Sequence, residues 1–303
     1  MEIIKVKQLT KHYGETAVLK GIDLTIHQGE VFGFVGHNGA GKSTLIHILT
    51  GIINKNAGSF EILGSPANQL NQVKKRIGVM PDISNLYDNM KDIDFLRYMG
   101  ELVGDNGSKK QYLSLMKSIG LAGSERKKIK SYSFGMKKKI SIAQALLGNP
   151  ELIILDEPTS GIDPESAINI RNLIAKLQEQ GKTIFLTSHN LDEIDKISDR
   201  VGILSDGIIT ELGTPRQLKE ESEEGINIAV RTKPTLQKEQ IKTLSKKIKV
   251  DIKCIAIKRE YTLLQVSSDD DMPALSKALI DSNMHLYEMK VEHRSLEDVF
   301  MKA

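Results

Sequence analysis

One run of residues limits what this chain can fold into more than any other: Val35-Gly36-His37-Asn38-Gly39-Ala40-Gly41-Lys42-Ser43-Thr44. It fits G-x-x-x-x-G-K-[ST], the phosphate-binding loop between a strand and a helix, with Gly36, Gly41, Lys42 and Ser43 in the required places. The glycines let the backbone turn tightly so that its N–H groups point at an anion. Lys42 would bridge the β- and γ-phosphates of a nucleoside triphosphate, and the Ser43 hydroxyl would ligate Mg²⁺. The flanks agree. Glu30 to Val35 is a short apolar strand, and Leu45 to Leu49 is an apolar helix stopping at Gly51.

The 303 residues leave room for one large domain and a small one. A net charge of +3, with 5% aromatics and no Trp, gives no footing for nucleic acid. The single Cys254 cannot form an internal disulfide, which suits a reducing cytosol, and it reads as a small apolar filler. Met1 to Lys7 lacks the apolar core of a signal peptide. No run approaches the roughly 18 apolar residues of a membrane helix, so a partner must supply any membrane contact.

Met1 to Ile26 alternates β-branched runs with glycines at 14 and 21, predicting an antiparallel β layer with turns there. A β segment follows at Ser59 to Leu63. Asp92 to Gly120 has helical period, with Phe95, Leu96, Met99 and Leu102 on one face. Helices are expected over Met136 to Leu147, Glu165 to Gln180 and Leu191 to Ser198, and strands over Leu152 to Leu155 and Thr183 to Thr187. This alternation predicts an open α/β sheet with ligands at the strand ends. Glu220 to Gly225 reads as a charged linker. Beyond it the order βαββαβ predicts a ferredoxin-like module. The expected domains are therefore 1–220, with a helical part at about 85–150, and 221–303. The lysine run 137 to 139 reads as a solvated helix face.

Leu152 to Leu155 ends in Asp156-Glu157-Pro158. A buried strand would deliver these carboxylates to the phosphate end of the loop. Asp156 would complete the Mg²⁺ shell through water, because Mg²⁺ keeps several waters and takes only one or two carboxylates. Glu157 would orient and deprotonate the water that attacks the γ-phosphate.

Further segments stand in a telling order: Tyr132-Ser133-Phe134-Gly135-Met136 ahead of Asp156, Ser160-Gly161-Ile162-Asp163-Pro164 after it, and Thr187-Ser188-His189-Asn190 after the next strand. Taken with the P-loop, Met1 to about Lys219 resembles the nucleotide-binding subunit of an ATP-binding cassette (ABC) transporter, of the bacterial exporter type with a separate permease. The tail Ser295 to Phe300 also resembles the end of many such exporter ATPases.

The resemblance implies a P-loop NTPase fold with a mixed sheet core, an antiparallel β layer and a helical subdomain. It implies ATP and Mg²⁺ as ligands, with His37, Asn38, Gly39, Ala40 and Thr44 completing the phosphate loop. Tyr13 matches the aromatic residue on which adenine stacks, against the plain alternative of a core Tyr in a strand. Ser133 and Gly135 match signature positions that touch the γ-phosphate held by the opposite subunit, and a helix N-terminus there favours an anion. Asp163 matches the loop crossing the dimer interface. His189 matches the switch histidine at the γ-phosphate.

There are two departures. Phe134 and Met136 replace the usual middle Gly and the Gln of the signature. Asp82, in Ile77-Gly78-Val79-Met80-Pro81-Asp82, stands where the family has the Gln that links metal, water and permease contact. It would put a negative charge at the nucleotide and the metal. The partners implied are an integral-membrane permease and a second ATPase subunit packed head to tail, with no nucleic acid. The location implied is the cytoplasmic side of the cell membrane, held there by the permease. The alternatives are a soluble cassette ATPase acting on ribosomes or DNA, and a P-loop kinase, in which the signature and His189 would have no role.

Overall fold

The computed structural model describes every residue except 82, 125, 126, 221–224, 293, 294, 302 and 303. The chain packs as two units, Met1–Pro215 with Phe300–Ala303, and Arg216–Val299.

The first unit opens with β1 (Glu2–Tyr13) and β2 (Thr16–His27), a hairpin turning at Gly14. Then come β3 (Val31–Gly36), α1 (Lys42–Leu49), β4 (Ala57–Ile62), β5 (Ser65–Pro66) and β6 (Ile77–Val79). The helical region holds α2 (Asp92–Val103), α3 (Lys109–Ser118) and α4 (Phe134–Ala145). The remainder is β7 (Leu152–Asp156), α5 (Pro164–Glu179), β8 (Thr183–Ser188), α6 (Leu191–Ile197), β9 (Arg200–Ser205) and β10 (Ile208–Gly213).

Two sheets result. An antiparallel layer has the order β2-β1-β4-β5, and a six-stranded sheet the order β10-β9-β3-β8-β7-β6. In the latter all neighbours are parallel except the β9–β10 pair. β3 and β8 are buried along their whole length, as strands covered on both faces must be. Phe185 of β8 lies 6.1 and 5.8 Å from Phe32 and Phe34 of β3, in tilted ring contacts. From α1, Leu45, Ile46, Ile48 and Leu49 join the same core as Ile4, Leu9 and Leu24 of the β layer. Each such side chain contributes about 1.5–3 kcal/mol of apolar transfer.

Three local expectations are corrected. Gly21 is not a turn: Leu9 pairs with Ile22 and Thr10 with Lys20, so Gly21 is the extra residue of a bulge inside β2, at φ 98°. The long helical stretch after Asp92 is two helices. Gly104 ends α2 in the left-handed region, and Ser108 starts α3 with a capping box to Gln111. Phe95 and Leu96 are buried but Leu102 is 64% exposed, so the apolar face is narrower than its period suggests. Finally, α4 begins two residues early, capped by the Ser133 hydroxyl, which accepts from Met136 N–H.

A short helix α7 (Pro215–Glu220) leads into the second unit: β11 (Ile226–Lys233), α8 (Lys238–Ile248), β12 (Lys253–Ile257), β13 (Thr262–Val266), α9 (Asp271–Asp281), β14 (His285–Val291) and α10 (Leu296–Phe300). Its antiparallel order β12-β13-β11-β14 is the ferredoxin-like arrangement. It has its own core, including Ile228, Val230, Leu244, Leu264, Leu275 and Leu279, with Cys254 packed against it. Among the described residues no helix is long and apolar enough to cross a membrane.

Candidate nucleotide site

Parallel strands β3, β7 and β8 lie side by side and end at one edge, so three loops distant in sequence converge there. After β3 the chain turns through the P-loop into α1. Gly41 is the N-cap of α1 at φ 112°, a conformation only glycine takes without strain, and a Cβ there would meet Leu19 Cδ2 at 2.8 Å. The loop lines a cleft of about 810 Å³, which also receives Asp156 and Glu157.

Lys42 is buried, and its ammonium donates to the carbonyl oxygens of Gly36 (2.6 Å) and His37 (3.3 Å). Its Nζ is 3.8 Å from Glu157 Oε1. Ser43 Oγ donates to Asp156 Oδ2 at 3.0 Å. Glu157, just past β7, has φ 49°, unusual for a non-glycine residue. Its Oε2 is 2.8 Å from His189 Nδ1, which follows β8. Lys42, Ser43, Asp156, Glu157 and His189 are thus one cluster.

Thr187 in β8 is a member that sequence reading missed. Its buried hydroxyl donates to Asp156 Oδ1 and accepts from the Glu157 N–H at 3.0 Å. One hydroxyl therefore orients both acidic residues. A threonine closing an apolar strand carried no sign of this, because its partners depend on β7 lying beside β8.

The signature segment and the Asp163 loop also meet. A Cβ on Gly135 would lie 3.3 Å from Ser166 Oγ and 3.7 Å from Asp163 Oδ2, so the N-termini of α4 and α5 are neighbours. Asp163 caps α5 by accepting from Ser166 N–H at 2.9 Å. That backbone bond, helped by the Ser166 side chain, holds its carboxyl below the usual aspartate range. Ser133, Gly135, Asp163, His189 and Tyr13 do not line the P-loop cleft, whereas Phe134 does. Tyr13 is 51% exposed, with Lys11 Nζ 4.9 Å from its ring centroid, so it is not a core residue. Asp82 lies outside the described residues.

The lysine run departs from the expected solvated face. Lys137 pairs with Asp88 at 2.9 Å. Lys138 is only 8% exposed, and its ammonium donates to the Glu157 carbonyl oxygen at 2.6 Å.

The donor set suits a hard cation. Ser43 Oγ and Asp156 Oδ2 are close enough to face one ion, and oxygen ligands in small number match Mg²⁺. Among the described residues no group of three or more His, Cys, Asp or Glu could hold a metal.

Comparison with known proteins places the chain in a family. A family model described as ABC transporter matches residues 19–160. The bacitracin transport ATP-binding protein BcrA of Bacillus licheniformis is 31% identical over 99% of this chain and 96% of its own length. A fluoroquinolones export ATP-binding protein of Mycobacterium tuberculosis is 36% identical over 72% of this chain and 73% of its own. Among solved structures, the dimeric form of a bacterial ABC transporter cassette superposes with a TM-score of 0.64 at 26% identity, covering 70% of this chain and 98% of that one. The chain belongs to the ABC transporter ATP-binding protein family. It is an ATP-binding and ATP-hydrolysing cassette.

Proposed function

We propose that this chain is the energy-coupling subunit of an ABC export system, closing into a head-to-tail dimer on ATP and driving a separate membrane permease. The observation that carries this reading is the Glu157 carboxylate, set between Lys42 and His189 beside the Ser43–Asp156 pair. The names of relatives that move bacitracin or fluoroquinolones support the export direction.

In the mechanism, P-loop N–H groups and Lys42 bind the β- and γ-phosphates. Ser43 and Asp156 would hold Mg²⁺, which when bound offsets phosphate charge. Glu157 orients a water and takes its proton as the new O–P bond forms and the bond from the γ-phosphorus to the bridging oxygen breaks, giving ADP and phosphate. With the hydrogen on Nδ1, His189 donates to Glu157 and fixes its carboxylate. The ring also stands ready to bond the γ-phosphate. Tyr13 offers an exposed ring for adenine. Ser133 and Gly135, at the N-terminus of α4, serve the nucleotide of the other subunit, and Asp163 the interface between them.

The test uses the tagged chain with Glu157→Gln in its native cell. ATP should convert the purified protein to a stable dimer, and mild detergent extraction should recover a polytopic membrane protein in stoichiometric amount. Recovery with ribosomes or DNA, and no ATP-dependent dimer, would move the assignment to a soluble cassette ATPase.

A further inference from the structure

Lys138 has a task that neither the P-loop nor the strand carboxylates require. It sits in α4, one turn after Phe134, and its Nζ lies 5.8 Å from that ring's centroid. Phe134 stands where the family signature has glycine, so the ring adds a cation–π contact to the ammonium that glycine could not make. The ammonium is directed onto the main-chain carbonyl of Glu157 at 2.6 Å. A charged donor makes a stronger bond than a neutral one, and burial strengthens it further.

The receiving residue has a backbone that needs holding. Glu157 adopts a left-handed φ of 49°, a conformation that persists only when its surroundings enforce it. Its N–H is held by Thr187 Oγ1 and its C=O by Lys138 Nζ, so both flanking peptide groups are anchored from different elements. Losing either anchor lets the peptide relax towards ordinary φ values, which swings the carboxylate away from Lys42 and His189.

We infer that Lys138 is a positioning residue for hydrolysis: by gripping the Glu157 carbonyl from the signature helix, it holds the carboxylate where it can take a proton from water. This rests on Glu157 being the base, as proposed above.

The experiment compares Lys138→Met, which keeps length and apolar bulk, with Lys138→Arg, which keeps charge and donors, in the full chain. For Lys138→Met, kcat should fall about 10- to 100-fold, the usual range for removing a group that orients a reacting one. KM for ATP and the thermal midpoint should stay close to wild type, and ATP should now accumulate the dimer. Lys138→Arg should restore most of the rate. In a Glu157→Gln background, Lys138→Met should cause little further loss, because both act on one step.

Unchanged kcat in Lys138→Met would overturn the inference. So would equal losses in Lys138→Met and Lys138→Arg alongside a lowered thermal midpoint, which would mark a purely structural lysine. If Glu157→Gln itself keeps the wild-type rate, the base assignment fails first. If Glu157→Gln is inactive while Lys138→Met is fully active, only the role of Lys138 fails.

Discussion

Ser43 and Asp156 stand 113 residues apart in sequence, yet the Ser43 hydroxyl donates to the Asp156 carboxylate at 3.0 Å. The contact exists because β3 and β7 both flank β8 and end at the same edge. It brings together two of the three oxygen donors that the sequence assigns to a cation; the third, Asp82, lies outside the described residues.

That pairing predicts a split phenotype. Asp156→Asn removes the negative charge of the pair while preserving its shape. It should raise the Mg²⁺ concentration needed for half-maximal ATPase activity by about tenfold or more, with nucleotide binding in EDTA nearly unaffected. Titrating Mg²⁺ at fixed ATP reads this directly, and an unchanged midpoint would count against Asp156 as a metal-side residue.

Thr187 should matter as much as the carboxylates it touches. Thr187→Val conserves volume but leaves the Glu157 N–H unbonded and frees Asp156 Oδ1. A buried donor without a partner costs about 1–3 kcal/mol, so stability should fall by that order. Turnover should drop about 10- to 100-fold, as for other groups that orient reacting ones. Thr187→Ser, which keeps the hydroxyl, should recover most of both in denaturation and steady-state assays.

Gly78 in β6 tolerates no side chain. A Cβ there would lie 1.8 Å from the Ala145 carbonyl oxygen and 2.8 Å from Pro150 Cγ, so strand and helix end meet backbone to backbone. Gly78→Ala forces one of them to move, with a loss of about 3 kcal/mol. Thermal unfolding of the variant should show a lower first transition. A midpoint equal to wild type would contradict this packing.

Asp163 gives a pH-dependent prediction. Its folded pKa is depressed below the ordinary 3.8 by the Ser166 backbone bond. The charge therefore stabilises α5 fully above the unfolded value and is lost as pH falls through the lower folded value. Melting curves of wild type and Asp163→Asn, which keeps the capping oxygen, should differ near neutrality and converge at strongly acid pH. A constant difference across the acid range would refute it.

Much of this was legible because it is local. The P-loop declares its own turn, and Leu152 to Glu157 shows an apolar strand running into acid. Ser133 and Asp163 announce the helices they cap. The break between α2 and α3 was also written, in Gly104 and in the Ser108-Lys109-Lys110-Gln111 box, but a continuous helical period masked it. Thr187 and Lys138 were not legible. Their side chains look like a β former and a solvated charge until the sheet order and the seat of α4 decide what faces them. Tyr13 was ambiguous in sequence, and only its exposure removes the core reading.

The short spacing within α4 has a consequence for any head-to-tail pair. On the proposed reading, each α4 meets one nucleotide with its first turn and steadies the base beside the other nucleotide with its second. The two reaction centres are then wired in a loop, each copy reporting its neighbour's occupancy to its own chemistry. Damage to one copy's Lys138 would be felt locally, but damage to one copy's Ser133 would travel around the circuit. Mixed dimers carrying a single altered subunit would separate the two behaviours.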